Sequence, residues 1–98
     1  MILCAASSYE KKYFLDPAFN GLPRQVQDEL KSACVLFTAE AGGILILEFD
    51  DEGELMIKTQ ADDSDIYYDE INAGLLVKRL REEKEELFRS LELYYKFI

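Results

Sequence analysis

Apolar residues recur at spacings of three and four between Pro23 and Ala41, which is the period of an amphipathic helix. Proline is suited to the first turn of a helix and glycine to its end, and Gly42 follows the periodic segment. The pattern predicts a helix from about Pro23 to Ala39. Its apolar face consists of Val26, Leu30, Ala33, Cys34, Phe37 and Ala41.

Two runs after this helix have the pattern of strands. GGILILEFD is apolar on both faces from Ile44 to Leu47 and then alternates, while ELMIKTQA alternates throughout. Between them, Gly53 can supply the positive φ that a short hairpin turn requires. The two runs therefore predict a β-hairpin. At the N-terminus, the apolar run Ile2–Ala6 and the segment YEKKYFL predict either two short strands or one strand and an extended segment.

A long periodic segment ends the chain. The four-three spacing of apolar residues runs from Ala73 to Ile98 and is interrupted only by Lys84. It predicts one helix from about Asp69 to the end, about 45 Å long and longer than a domain of this size is wide. Such a helix either bends over its own hairpin or docks its far end on a second copy. The interaction surface expected at this far end consists of Leu87, Leu91, Tyr94 and Ile98.

The order of these elements indicates an α+β fold, with a small antiparallel sheet that includes a central hairpin and is packed by the two helices on one face. A strand in the last segment, LELYYKFI, would instead give a βαββαβ order like that of a ferredoxin-like sandwich. The helix is favoured because the helical period continues to Ile98. At 98 residues, the chain is expected to form a single α+β domain over residues 1–98.

The charge of the chain constrains its partners. Twenty acidic residues against 11 basic residues give a net charge of -9, which repels nucleic acids and anionic membranes, so neither is expected as a partner. Solubility alone is the simplest explanation of this charge. The apolar run Met1–Ala6 is too short for a secretory signal, and no segment has the ~20 apolar residues needed to span a bilayer. A cytoplasmic location is therefore expected.

Two acidic clusters, Asp50–Glu54 and Asp62–Asp65, are candidate cation ligands. Neither matches the calcium-loop template, which has glycine at the sixth position and glutamate at the twelfth. The first cluster surrounds the hairpin glycine, and the second precedes the last helix, where aspartate can cap free N–H groups. The clusters are expected roughly 20 Å apart, at opposite ends of a strand. Turn formation and capping are therefore favoured, and no metal or cofactor is expected.

Few residues could support catalysis. The chain has no histidine, which removes the commonest general base and the standard serine triad. Cys4 and Cys34 lie in apolar runs, which predicts small buried hydrophobes in a reducing compartment rather than a disulfide framework. A carboxylate-dependent enzyme or cation binder is the least favoured function class, and no catalytic residue is predicted.

The stretches LCAASSYEKKYF, CVLFTAEAGGILILEFDDEGEL and LELYYKF resemble a family of small acidic proteins from clostridial Firmicutes, a domain of unknown function. The resemblance covers nearly the whole chain. It implies a bacterial cytoplasmic domain and no site residue to carry over. The function we favour from the residues is a non-enzymatic interaction or regulatory module that forms a homodimer through its C-terminal helix. The alternative is an acidic decoy or neutraliser that binds a basic protein.

Overall fold

The structure is a computed structural model that describes all residues from Met1 to Ile98. It contains four strands, three α-helices and one 3-10 turn. In chain order these are β1 (Ile2–Ser7), β2 (Lys12–Leu15), the 3-10 turn (Pro17–Phe19), α1 (Arg24–Ala41), β3 (Ile44–Phe49), β4 (Leu55–Gln60), α2 (Glu70–Glu83) and α3 (Glu85–Tyr95). The N-terminal region thus forms two strands, and the predicted α+β class is confirmed.

The four strands form one antiparallel sheet in the order β2-β1-β3-β4. β1 pairs with β3, although α1 lies between them in the chain, and Ala5 is opposite Ile46 in this pairing. The two hairpins, β1–β2 and β3–β4, therefore lie side by side with β1 and β3 in the centre. The predicted hairpin over Gly53 is confirmed, and this glycine has a φ of 82°.

The core lies on one face of the sheet. Directly opposite residues of paired strands point to the same face, so Cys4 and Leu47 share the face on which α1 and α3 pack. α2 packs in turn on α1. Burying a leucine or phenylalanine side chain stabilises the fold by roughly 1.5–3 kcal/mol relative to leaving it exposed. The largest fully buried side chains are Phe19, Phe49, Leu3, Leu30, Leu45, Leu47, Leu55 and Leu91.

α1 ends as its sequence predicts. Gly42 has a φ of 75° and its N–H donates to the Thr38 carbonyl, which closes the last turn of the helix. The helix extends two residues beyond the predicted end at Ala39. Its predicted apolar face is the one that meets the core, because Leu30, Cys34 and Phe37 are buried.

The prediction of one continuous C-terminal helix is wrong. The helix breaks at Lys84, whose φ of -112° and ψ of 25° are not helical. Because the chain changes direction there, α2 packs against α1 while α3 packs against β4. The two helices of 14 and 11 residues are about 21 and 17 Å long, so no single helix of about 45 Å exists. α3 ends at Tyr95, and the chain ends without a further strand.

Candidate interaction surface

The residues predicted to form the C-terminal interaction surface have different positions in the structure. Leu87 and Leu91 are buried in the chain's own core, and Leu91 is only 1% exposed. Tyr94 is partly buried, whereas Ile98 is exposed. In this fold the two leucines expose almost no surface to a second chain. A charged residue in place of Leu91 would therefore destabilise the core of the monomer, so such a variant could not test whether α3 forms a dimer contact.

An aromatic cluster explains what covers α3. The ring of Tyr95 lies parallel to the ring of Phe49, with 4.1 Å between their centroids. Phe19 stacks on Phe49 at 5.7 Å, and its ring is 6.3 Å from that of Tyr94. Aromatic pairs at these distances stabilise a fold beyond the area that they bury. The end of α3 is thus held on β3 and on the 3-10 turn of the same chain.

The first acidic cluster has a structural role. One carboxylate oxygen of Asp50, Oδ1, accepts hydrogen bonds from the backbone N–H groups of Glu52 and Glu54, both at 2.9 Å. These bonds close the β3–β4 turn, as expected from the sequence. The side chains of Asp51 and Glu52 accept no hydrogen bond from within the chain and are exposed.

The predicted capping role of the second cluster, Asp62–Asp65, is wrong, although α2 begins where predicted, because the cap is Asp69 and lies four residues beyond the cluster. Asp69 caps this helix, and its Oδ1 accepts hydrogen bonds from the N–H groups of Ile71 and Asn72 at 2.9 and 3.2 Å. Asp65 instead accepts a hydrogen bond from the Tyr9 hydroxyl at 2.7 Å. Nowhere in the chain do three or more side chains of the metal-ligating types come together.

Tyr9 joins the β1–β2 turn to the segment after β4. Its hydroxyl donates to Asp65 and accepts a hydrogen bond from the N–H of Asp62 at 3.0 Å. The hydrogen bond to Asp65 raises the pKa of Tyr9, because the bond requires the protonated hydroxyl. No local pattern in the sequence indicates this contact, since its partners are more than fifty residues apart.

α2 is apolar on two opposite sides. Ala73 and Leu76 are buried on the inner side, which packs on α1. On the outer side, Ile71 is 79% exposed and Leu75, four residues later, is 64% exposed. Tyr67, in the segment just before the helix, is 90% exposed. We call Tyr67, Ile71, Gly74 and Leu75 the outer stripe. Large apolar side chains exposed together indicate an interaction site.

Gly74 lies within the outer stripe, and nothing within the chain requires it. A Cβ at this position would meet no atom within 4 Å, and its φ is not positive. Inside a helix, glycine costs roughly 0.5–1 kcal/mol relative to alanine. Glycine on an exposed helix face allows the backbone of another element to approach closely.

The charges beside the outer stripe are unpaired within the chain. Glu70 precedes Ile71, and Lys78 follows Gly74 by four residues on the same side of α2. Both are exposed, and neither takes part in an ion pair of the chain. The outer stripe therefore has a negative charge at its N-terminal end and a positive charge at its C-terminal end.

The uncovered face of the sheet is a less apolar alternative surface. Phe14 and Met56 are exposed there, but an ion pair between Lys58 and Glu48 at 2.8 Å occupies the same face. An open cavity of about 600 Å³ lies between this face and the β1–β2 turn, with Lys12 and Tyr9 among its lining residues. Its side chains include no group whose arrangement indicates catalysis.

The sequence contained a signal for the outer stripe. Ile71 and Leu75 are four residues apart, on the side of the helix opposite Ala73 and Leu76, and Tyr67 precedes Ile71 by four residues in the sequence. A sequence analysis centred on the core-facing stripe passes over this second pattern. The outer stripe is uncovered because it lies on the side of α2 opposite Ala73 and Leu76, which face α1.

None of the helices combines the length and the apolar composition needed to cross a membrane. The model of a family of unknown function, DUF6145, matches residues 1–98. The resemblance to a domain of unknown function is thereby confirmed. No curated protein and no solved structure is significantly similar to the chain.

Proposed function

The chain belongs to DUF6145, a family of unknown function, and we propose that it is a non-enzymatic interaction module that forms a homodimer through the outer stripe of α2. One observation carries the proposal. Large exposed apolar side chains coincide, on one side of α2, with a glycine that the chain itself does not require. A second helix packed against Gly74 accounts for both features.

The second copy of the chain fits this surface because the charges are self-complementary. In a two-fold dimer whose axis is perpendicular to α2, the two α2 helices run antiparallel, with Gly74 and Leu75 near the axis. Lys78 of each copy then lies beside Ile71 and Glu70 of the other, which forms two symmetric ion pairs at the rim. Each such exposed pair contributes at most about 1 kcal/mol, so the pairs set the orientation while the apolar contact supplies most of the affinity.

The expected dimer is weak. One face of a two-turn helical segment is smaller than the roughly 800 Å² per partner of a stable standard interface. An association in the micromolar range, about -8 kcal/mol, is therefore expected. A dimer of this strength assembles and dissociates with protein concentration, which suits a regulatory module.

A matched pair of leucine variants tests the surface. Leu75 and Leu93 are similarly exposed leucines, one in the outer stripe and the other on α3 near the C-terminal surface predicted from the sequence. We expect Leu75→Glu to abolish the dimer in light scattering across a concentration series, whereas Leu93→Glu retains it. Because both side chains are exposed, each monomer should keep its stability to within about 0.5 kcal/mol. Loss of the dimer in Leu93→Glu alone would move the interface to α3, and a monomeric wild type would refute the proposal.

A second variant separates close helix approach from general hydrophobicity. Gly74→Ala improves the helix propensity of α2, so it should stabilise the monomer by up to about 1 kcal/mol. The added methyl group should at the same time weaken the dimer, because it lies where the second backbone approaches. A variant that stabilises the monomer and leaves dimerisation unchanged would show that Gly74 is not at the contact.

Binding of a basic protein is the second candidate function, supported by the free carboxylates of Asp51, Glu52, Asp62 and Asp63. None of these side chains accepts a hydrogen bond or forms an ion pair within the chain. Binding through them would weaken with salt. Replacing Asp51 and Glu52 by their amides should reduce binding to a basic probe protein more than the same change at Glu10 and Glu82. Equal losses of binding in the two pairs of variants would show that only the net charge of the chain matters, and not the position of these carboxylates.

A further inference from the structure

Two cysteines that are 30 residues apart in the chain meet inside the core. Cys4 lies on β1 and Cys34 on α1, and their Sγ atoms are 3.8 Å apart. Both side chains are buried and both are free thiols. The sequence predicts two separate buried hydrophobes, and their contact across the interface between the sheet and α1 is a property of the fold.

Tyr13 is the polar neighbour of this thiol pair. It lies opposite Ala6 on β2, its ring packs against the core, and its buried hydroxyl has no hydrogen-bond partner. The hydrogen bond with Cys34 and burial raise the pKa of the Cys4 thiol. Cys4 and Ala6 lie on one face of β1, so Tyr13, opposite Ala6, is the diagonal neighbour of Cys4 on that face. An unpartnered hydroxyl is thus available to stabilise a thiolate at Cys4 whenever one forms.

We propose that Cys4 and Cys34 are a modification site, at which a peroxide closes an intramolecular disulfide between β1 and α1. The thiolate of one cysteine attacks the peroxide oxygen, which gives a sulfenic acid and releases hydroxide. The second thiol attacks the sulfenic sulfur and releases water. Two thiols and one hydrogen peroxide thus give one disulfide and two waters, and the two electrons lost by sulfur reduce the peroxide.

The geometry permits this bond with a small movement. The sulfur–sulfur distance has to shorten from 3.8 Å to about 2.05 Å. β1 has a bulge between Ile2 and Cys4, next to the first thiol, where the strand is not held in a regular ladder. Because the thiols are buried and mostly protonated, their oxidation should be slow and should accelerate as the pH rises.

Peptide mapping of the full-length chain tests the proposal. The folded protein is treated with hydrogen peroxide, blocked with N-ethylmaleimide in denaturant and digested with trypsin without reduction. The expected product is a linked pair of the peptides 1–11 and 32–58, and an intact protein lighter by two hydrogen atoms. Because the bond closes a loop of about 30 residues, the oxidised monomer should also melt about 10 °C or more higher, reversibly with dithiothreitol.

Two variants separate the disulfide from other effects of oxidation. Cys34→Ala should melt at the same temperature with and without peroxide, and Tyr13→Phe should form the disulfide several-fold more slowly while retaining the fold. Sulfinic or sulfonic acids, a disulfide between two chains, or thiols that stay free after oxidation would each overturn the proposal. An unchanged rate in Tyr13→Phe would overturn the role of the hydroxyl. The monomeric Leu75→Glu variant should form the same bond, so this outcome is independent of dimerisation.

Discussion

Several connections between elements depend on a single residue, and Gly43, between α1 and β3, is the residue whose backbone conformation and surroundings allow the fewest replacements. It is buried between α1 and β3 with a φ of 70°, a conformation that glycine adopts more readily than any other residue. A Cβ there would lie 2.5 Å from the Gln60 carbonyl oxygen and 2.9 Å from the Tyr68 ring. Position 43 therefore excludes side chains both by its backbone conformation and by space.

We predict that Gly43→Ala destabilises the fold by about 2–4 kcal/mol, because the strained φ adds to a clash with backbone that cannot move freely. Urea unfolding of the monomer measures the change. Gly74→Ala is the matched control, since its new methyl group meets no atom of the chain. A Gly43→Ala protein as stable as wild type would show that the β3–β4 ladder shifts easily at Gln60.

The ion pair between Glu48 and Lys58 makes a prediction about pH. The Lys58 ammonium, at 2.8 Å, lowers the pKa of the Glu48 carboxyl below its ordinary value of about 4.3. The resulting stability is present above that value and is lost as the pH falls through the lower pKa of the folded state. Glu48→Gln should therefore be less stable than wild type at neutral pH and equal to it at a pH below the lowered pKa of the folded state. Urea unfolding at both pH values checks this, and a constant difference would assign the effect to packing.

At the scale of elements, the C-terminal end of α3 depends on a few aromatic contacts. This end is held by Tyr95 on Phe49, with Phe19 behind. We predict that Tyr95→Ala costs about 2–4 kcal/mol and opens α3 to hydrogen exchange before α1. Tyr67→Ala is the matched control, because Tyr67 is almost fully exposed and should change monomer stability by less than about 0.5 kcal/mol. Uniform exchange of α1 and α3 in Tyr95→Ala would show that the helices open as one unit.

The elements differ in how far the sequence determines them. α1 and the β3–β4 hairpin follow from local information, since their period and terminal glycines are enough to predict both. The break at Lys84 appears in the sequence only as an interruption of the apolar spacing. In the structure it is a change of direction, at which Lys84 reaches Glu29 on α1 at 3.4 Å and after which α3 packs on β4. These are long-range contacts, which periodicity does not contain.

The C-terminal interaction surface predicted from the sequence shows the same limit of periodicity, which does not contain long-range contacts. The sequence assigned Leu87 and Leu91 to an outward surface because a straight helix would carry them beyond the domain. The break returns them to the core, while Ile71 and Leu75, on the side of α2 away from α1, stay uncovered. Which of two apolar stripes faces inward is decided by packing between elements. The contact between Cys4 and Cys34 likewise depends on how α1 crosses the sheet, and neither cysteine has a local signal for it.

At the scale of the whole molecule, net charge opposes the proposed dimer. Each copy carries -9, and the molecule is 24 Å across its middle axis. Two such charges at that separation repel by about 14 kcal/mol in unscreened water, and by about 1 kcal/mol at 0.1 M salt. The two rim ion pairs offset at most about 2 kcal/mol, so the repulsion dominates at low salt.

We therefore predict that salt strengthens the dimer. Raising sodium chloride from about 0.02 M to about 0.2 M should increase the association constant at least about tenfold, because long-range repulsion is screened more than contacts at 4 Å. Light scattering at matched protein concentrations measures the change. Lys78→Glu is the informative control, since it removes the rim pairs and adds repulsion, and its dimer should require still more salt. Association that weakens with salt would mean that attraction between opposite charges holds the assembly, which is the behaviour expected of a basic partner on the acidic turns rather than of a second copy on α2.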